Sequence, residues 1–293
     1  MKRLIHRIEK ALIEIVQLLF FCIPALIEGL GTRFPYRKKM SGRLTVLANG
    51  PSLKNVLMKL ETDACFDNTD FSVMNDFATT DAFLRIKPKY YCLADPKYVI
   101  STFNNSDVHR TFQIMNEVVS WDMILYIPSY FRKKRFLRFS RLTNSHIKIK
   151  QLCSAPYAGQ SYFIHNWLYK HGLTIPRSTV AQVCIFCGIN LGYEEIHLYG
   201  FDHSFINNLI VDKDNRLCWR NGHFYDSLTT EADYKPLLRN DNGQQYKIGE
   251  YLHQIGDLFQ THDFIAAYAK TVGCHLINCT RISMVDSYDR IAR

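Results

Sequence analysis

The sequence predicts an α/β fold that is Rossmann-like, with a mainly parallel sheet, helices on both faces and a small lid insertion. Three observations lead there. Short apolar runs of strand composition recur along the chain, longer helix-compatible stretches separate them, and several runs stop abruptly at Asn, Asp or Gly. With 293 residues, 47% of them hydrophobic, the chain can bury a full core, and its length suits one main domain carrying an insertion.

Strands are expected at 44–48, 71–74, 90–94, 123–127, 196–199 and 275–278. Helices are expected from near Ser52 and over about 161–171, 179–190 and 249–271. In an open sheet of this kind, ligands bind in the crevice beyond the carboxyl ends of the strands. Four of the predicted strands end in short polar or glycine-containing sequences: Asn49-Gly50-Pro51-Ser52, Asn75-Asp76, Asp95-Pro96 and Gly200-Phe201-Asp202-His203. Any one of these would serve as an ordinary turn. Four at one crevice point to a ligand. Asn49 offers donors and an acceptor, Gly50 lets backbone approach closely, and Pro51 and Ser52 open a helix whose free N–H groups favour a phosphate.

The missing motifs narrow the chemistry. The chain has no G-x-G-x-x-G, no G-x-x-x-x-G-K-[ST], no G-x-S-x-G and no H-E-x-x-H, so the dinucleotide, P-loop, serine-hydrolase and zinc-protease readings lose their main support. Nine cysteines, an odd number without framework spacing, suit a reducing cytosol, and Cys184-x-x-Cys187 sits in the apolar run QVCIFCGINLG, where packing is expected.

Net charge is +9, but it is concentrated at the start. Residues 1–39 hold eight Lys or Arg against three Glu, which leaves the rest mildly basic and argues against a nucleic-acid partner. Between the basic residues lies ALIEIVQLLFFCIPALIEGL, residues 11–30, interrupted by Glu14, Gln17 and Glu28 and by Pro24, which is expected to kink a helix. We read residues 1–40 as an amphipathic segment lying in a membrane interface, and residues 41–293 as the functional domain, with its lid at about 205–249. A helix packed on the domain or on a second copy is the alternative, and a homo-oligomer is left open. The basic-aromatic run FRKKRFLRFSR, residues 131–141, reads as a solvated helix face or a contact for anionic headgroups.

The stretches VLANGPSLK, VMNDF, CLADPKY and INLGYEEIHLYGFD resemble, in order and style, the bacterial sialyltransferase family of lipooligosaccharide synthesis, glycosyltransferase family 42. Related MptE-like proteins, of 6-hydroxymethylpterin pyrophosphokinase type, share the pattern. The resemblance covers about residues 43–279. It implies a GT-A-variant domain and a glycosyltransferase that uses a CMP-activated sugar such as sialic acid, or another nucleotide sugar. The acceptor would be a lipid-linked glycan in surface lipopolysaccharide or capsule synthesis, at the cytoplasmic face of the inner membrane. It also implies direct displacement with a His general base and no metal or other cofactor.

By resemblance, nucleotide binding falls to Asn49 and Asn75, with Arg177 and Thr179 carried over; Gly50, Pro51, Ser52, Asp76, Asp95, Gly200 and Asp202 join them from their place at the strand ends, and the polar, aromatic segment beyond Asp202 offers His203, His223 and Tyr225 for catalysis. The chain departs from the family at four places. Asp95-Pro96 stands for Asn-Pro, Arg177-Ser178-Thr179-Val180-Ala181 for Arg-x-Thr-Ser-Gly, and Asp202-His203-Ser204-Phe205 replaces a segment carrying tyrosines. Glu250 follows Ile248-Gly249 where the family has its His. The base is therefore open between His203, His223 and Glu250, with Tyr225 and Arg177 or Arg220 as phosphate partners. Asp212-x-Asp214 has the spacing of a metal-nucleotide motif, but the resembled family is metal-independent. Two rival functions stay open: an ATP-dependent pterin pyrophosphokinase and a non-catalytic nucleotide-binding protein of the membrane face.

Overall fold

The computed structural model describes residues 2–29, 31–38, 42–60, 63–100, 106–220, 234–239 and 243–291. Eight strands form one sheet: β1 (Arg43–Leu47), β2 (Thr69–Met74), β3 (Tyr90–Cys92), β4 (Met123–Pro128), β5 (Ile147–Leu152), β6 (Glu195–Tyr199), β10 (His275–Asn278) and β11 (Asp289–Arg290). Their order is β11-β10-β6-β1-β2-β3-β4-β5 and every pairing is parallel. This is the expected Rossmann-like α/β architecture. The chain winds outward from β1 to β5 on one side and then returns to place β6 on the other, so the direction reverses between β1 and β6.

Side-chain alternation builds two cores. Leu44, Val46, Tyr90 and Cys92 pack on one face, against α7 (Val180–Leu191) and α8 (Ile248–Val272). Leu47, Val73, Tyr91 and Leu125 pack on the other, against the short α2 (Leu53–Leu57) and α3 (Ala82–Ile86), with α4 (Ser106–Val118) and α5 (Lys133–Ser140) beyond them. Helix α7 is buried along residues 181–190, which accounts for its unbroken apolar sequence. A Cβ at Gly188 would stand 2.5 Å from Leu44 Cδ2, so the helix rests directly on β1. Cys184 and Cys187 lie in this packing, and burial pushes both thiols up.

The insertion is a small antiparallel sheet of β7 (Leu209–Val211), β8 (Leu217–Trp219) and β9 (Lys235–Pro236). Leu217 and Leu237 pack on Tyr251, Ile255 and Leu258 of α8.

Helix α1 (Lys2–Gly29) continues through Pro24. Glu14 and Glu28 do not interrupt its outer surface, because both face the body. Glu28 accepts from the hydroxyls of Ser129 and Ser154, and Glu14 from Tyr157 and the Gln160 N–H. Phe21 and Ala25, between them, join Cys153, Ala155, Leu168 and Ile164, the last two on α6 (Tyr162–Lys170). The inward stripe 14, 18, 21, 25, 28 has the three-and-four spacing of a packed helix.

Sequence reading placed most strands within a residue or two. The expected β3 runs to residue 94, two residues beyond its last ladder position, and β5, β11, the three short strands of the insertion, α3 and α4 are additional to the expected elements. Strand β5 reads IKIKQL, an edge strand whose lysines face solvent and shield an open ladder.

Candidate functional site

A cleft of about 200 Å³ opens at the carboxyl ends of β1, β2 and β6, at the point where the strand order reverses. Five groups of residues form it. The β1 turn gives Asn49, Gly50 and Pro51, and the end of β2 gives Asn75. Gly200, Asp202 and His203 follow β6. Thr179, Val180 and Ala181 start α7, and the insertion contributes Phe205, Asn208, Trp219 and Arg220.

Asn49 is 8% exposed, and neither its amide oxygen nor its amide nitrogen has a hydrogen-bond partner. A buried primary amide left this way costs several kcal/mol, on the order of 1–3 for each unmet group, unless a ligand completes it. Asn75, with φ of +52°, also leaves its side-chain oxygen unpaired at the wall. Asn tolerates the left-handed region better than most residues, and the conformation is held by the Tyr91 hydroxyl, which donates to the Asn75 carbonyl.

Gly50 is required by the protein itself. A Cβ there would lie 2.1 Å from Asp202 Oδ2 and 2.3 Å from the Gly200 carbonyl oxygen. The turn is pinned to the β6 loop by the Gly50 N–H to the Gly200 carbonyl at 3.0 Å and by Ser52, which donates its N–H and hydroxyl to Asp202. Burial pushes the Asp202 carboxyl up while the Ser52 hydrogen bonds oppose that shift.

The helix N-terminus facing the cleft therefore differs from the expected one. Helix α2 is five residues long, the Ser52 N–H is taken by Asp202, and the Leu53 and Lys54 N–H groups are taken by the Gly50 and Pro51 carbonyls. Helix α7 takes that position, with Val180 and Ala181 at the cleft wall. Thr179 caps it through a reciprocal pair with Gln182, at 3.3 and 3.1 Å. A dozen helical residues then point their positive end at the cleft, which Arg220 also lines.

Ser52, Asp76, Asp95 and Arg177 lie outside the lining, Ser52 because Asp202 takes both its N–H and its hydroxyl. Asp76 turns away from the cleft, and its carboxylate accepts from Lys97, from the Tyr98 hydroxyl at 2.7 Å and from Thr111 at 3.1 Å. Asp95 caps the turn over Pro96–Tyr98 by accepting from the Lys97 N–H at 2.9 Å. Arg177 is exposed and its charge acts on Tyr130, whose phenol is pushed up to about 12 by burial, with Arg177 opposing. Glu250 accepts from the Lys247 N–H and pairs with Arg239 at the start of α8. Asp212 and Asp214 share Arg216, at 2.8 and 2.9 Å, and brace the β7–β8 turn. His223 and Tyr225 lie outside the described residues.

His203 is the catalytic candidate that the described residues place in the cleft. Its backbone is left-handed, with φ of +48°, and its ring stacks on Phe201. Nε2 meets Nε2 of the fully buried His262 at 3.1 Å, and His262 Nδ1 meets the Tyr288 hydroxyl at 2.7 Å. One imidazole must donate to the other, so the pair is compatible with neutral rings and opposes a double charge. Burial brings His203 down to about 4 and holds His262 well below the usual histidine range. His262 lies 59 residues from His203 in the sequence, so the pairing carries no local sequence signal.

No family model matches this chain, and no curated protein is significantly similar to it.

Proposed function

We propose that this protein is a glycosyltransferase that binds a nucleotide-activated sugar in the β1/β6 cleft and acts at a membrane surface. The observation that carries the reading is Asn49, whose buried amide has an acceptor and donors unused at the switch point of a parallel sheet. A nucleobase or ribose edge supplies matching partners. The N-terminus of α7 and Arg220, both in the lining of one small cleft, supply positive potential for the phosphate.

The sugar is transferred by direct displacement. The acceptor hydroxyl forms the new bond to the anomeric carbon as the bond to the leaving phosphate breaks, and the hydroxyl proton passes to an imidazole. His203 fills that role in the tautomer where its Nε2–H donates to His262 and His262 Nδ1–H donates to Tyr288, which leaves His203 Nδ1 with a lone pair. Its affinity for a proton is low in the empty cleft and rises when an anionic phosphate sits beside it. The sequence resemblance to CMP-sialic-acid enzymes favours a CMP-sugar donor. A lipid-linked glycan acceptor fits the apolar outer face of α1 and the basic residues around it, which favour peripheral attachment to an anionic membrane.

Calorimetric titration of the full chain with CMP, UDP, GDP and ATP, each with and without Mg²⁺, tests this. Metal-independent CMP binding that is lost in Asn49→Ala supports the reading, and preference for UDP or GDP keeps the transferase but changes the donor. ATP binding that requires Mg²⁺ redirects it to a pyrophosphokinase. Binding of none of them removes its basis.

A further inference from the structure

The apolar surface of the chain is not confined to α1. Between residues 11 and 27 every exposed side chain of that helix is apolar, because Glu14 and Gln17 turn toward the body. Leu19, Phe20, Ile23, Leu26 and Ile27 are each at least 65% exposed. At the helix-compatible rise, this strip is about 25 Å long. Helix α6 extends it sideways. Ile164 and Leu168 are the α6 residues that pack in the cluster with Phe21 and Ala25, and Phe163 and Trp167 stand one position round from them, 78% and 49% exposed.

The place of these helices in the sheet gives the surface a direction. Ser129 follows β4 and Ser154 follows β5, and both donate to Glu28, so the C-terminal part of α1 sits on the carboxyl edge of the sheet. The cleft opens on that same edge, three strands away from β4 at β1, or roughly 14 Å at the usual strand spacing. The exposed basic residues Arg132, Lys133, Lys134 and Arg135 begin three positions after Ser129.

We propose that α1 and α6 together form one membrane-docking face, that Phe163 and Trp167 insert beside α1 and that Arg132 to Arg135 meet anionic headgroups. The carboxyl edge of the sheet then faces the bilayer and the cleft opens within reach of a lipid-anchored acceptor. The inference rests on the membrane reading made above and adds to it a second contact and an orientation. An anionic bilayer is the occupant we commit to: the strip is apolar, it is bordered by Phe and Trp of the kind found at membrane interfaces, and the charges next to it are basic.

The test uses the full chain and vesicles of phosphatidylcholine, with or without 30% phosphatidylglycerol, in flotation and fluorescence. The expected result is flotation with the anionic vesicles, quenching of tryptophan emission by brominated acyl chains, and loss of most of that quenching in Trp167→Phe. Phe163→Ser combined with Trp167→Ser should weaken partitioning about tenfold with the thermal midpoint unchanged. Flotation with equal quenching in wild type and Trp167→Phe overturns the docking face while leaving α1 as an anchor. Failure to float overturns both. A dimer in sedimentation, with Trp167 protected from brominated lipid, would show that a second copy covers the face.

Discussion

Ser52 gives the Asp202 carboxylate two hydrogen bonds, from its backbone N–H at 3.2 Å and its hydroxyl at 2.7 Å, across 150 residues of sequence. The pair joins the loops after β1 and β6, the two strands between which the sheet changes direction, and Gly50 sits in the gap that the pair closes.

Gly50→Ala should therefore destabilise the whole domain. Its Cβ has no space against Asp202 Oδ2 and the Gly200 carbonyl, and backbone cannot give way as a flexible side chain would. We expect a loss of at least about 2 kcal/mol, roughly 3 °C in thermal midpoint for a chain of this size. An unchanged midpoint would show that the loops are not closely apposed.

Asn49→Ala should separate binding from stability. The substitution removes a buried amide with no partner, so the thermal midpoint should hold or rise slightly, within about 1 kcal/mol. Nucleotide affinity should fall at least about tenfold. If the variant unfolds instead, Asn49 has a structural role.

Acid should weaken the fold through His203. Its folded pKa, about 4, lies below the 6.5 expected when unfolded, so between those values the unfolded chain binds more protons and stability falls as pH drops. The loss from this residue begins near pH 6.5, grows through the window and levels off near pH 4, at up to about 3 kcal/mol. His262 and His165 are depressed by burial and act in the same direction. Chemical denaturation at pH 7.5 and 5 measures this, and His203→Gln should show a smaller difference between the two. Equal pH dependence in wild type and variant would mean that His203 titrates normally.

Glu28→Ala should loosen α1 locally. Ser129 and Ser154 keep their mutual hydrogen bond at 2.7 Å but lose the carboxylate that ties the helix to the sheet edge. We expect a cost of about 1–3 kcal/mol, read as faster hydrogen exchange over residues 8–29 with the sheet unaffected. Protection unchanged in that helix would assign its docking to Phe21 and Ala25 alone.

Much of the fold was legible because each central strand is a short apolar run ended by a turn residue, as at Leu47 and Asn49. The candidate cleft was legible in part for the same reason: Asn49, Asn75, Gly200, Asp202 and His203 sit at strand ends, and strand ends of a parallel sheet converge. What sequence could not supply was the direction of each side chain. Asp76 and Asn75 are adjacent, yet only Asn75 lines the cleft, because Tyr98, Thr111 and Lys97 draw Asp76 the other way. Trp219 and Asn208 carried no signal, since an insertion meets the cleft through tertiary packing. Glu14 and Glu28 looked like interruptions of an apolar segment, and only their partners 101 to 146 residues away reveal them as its inner face.

Those two glutamates also bear on how the protein is made. The ribosome releases α1 well before its docking site, since Ser154 follows Glu28 by 126 residues, some 6–25 s of synthesis at ordinary rates. During that interval the nascent helix shows an apolar face with two uncompensated carboxylates, about 21 Å apart along its axis. Each opposes transfer into the hydrocarbon interior until the body folds and takes the carboxylates in. On the membrane reading proposed above, the order of synthesis would then favour a helix that lies on the bilayer over one that crosses it.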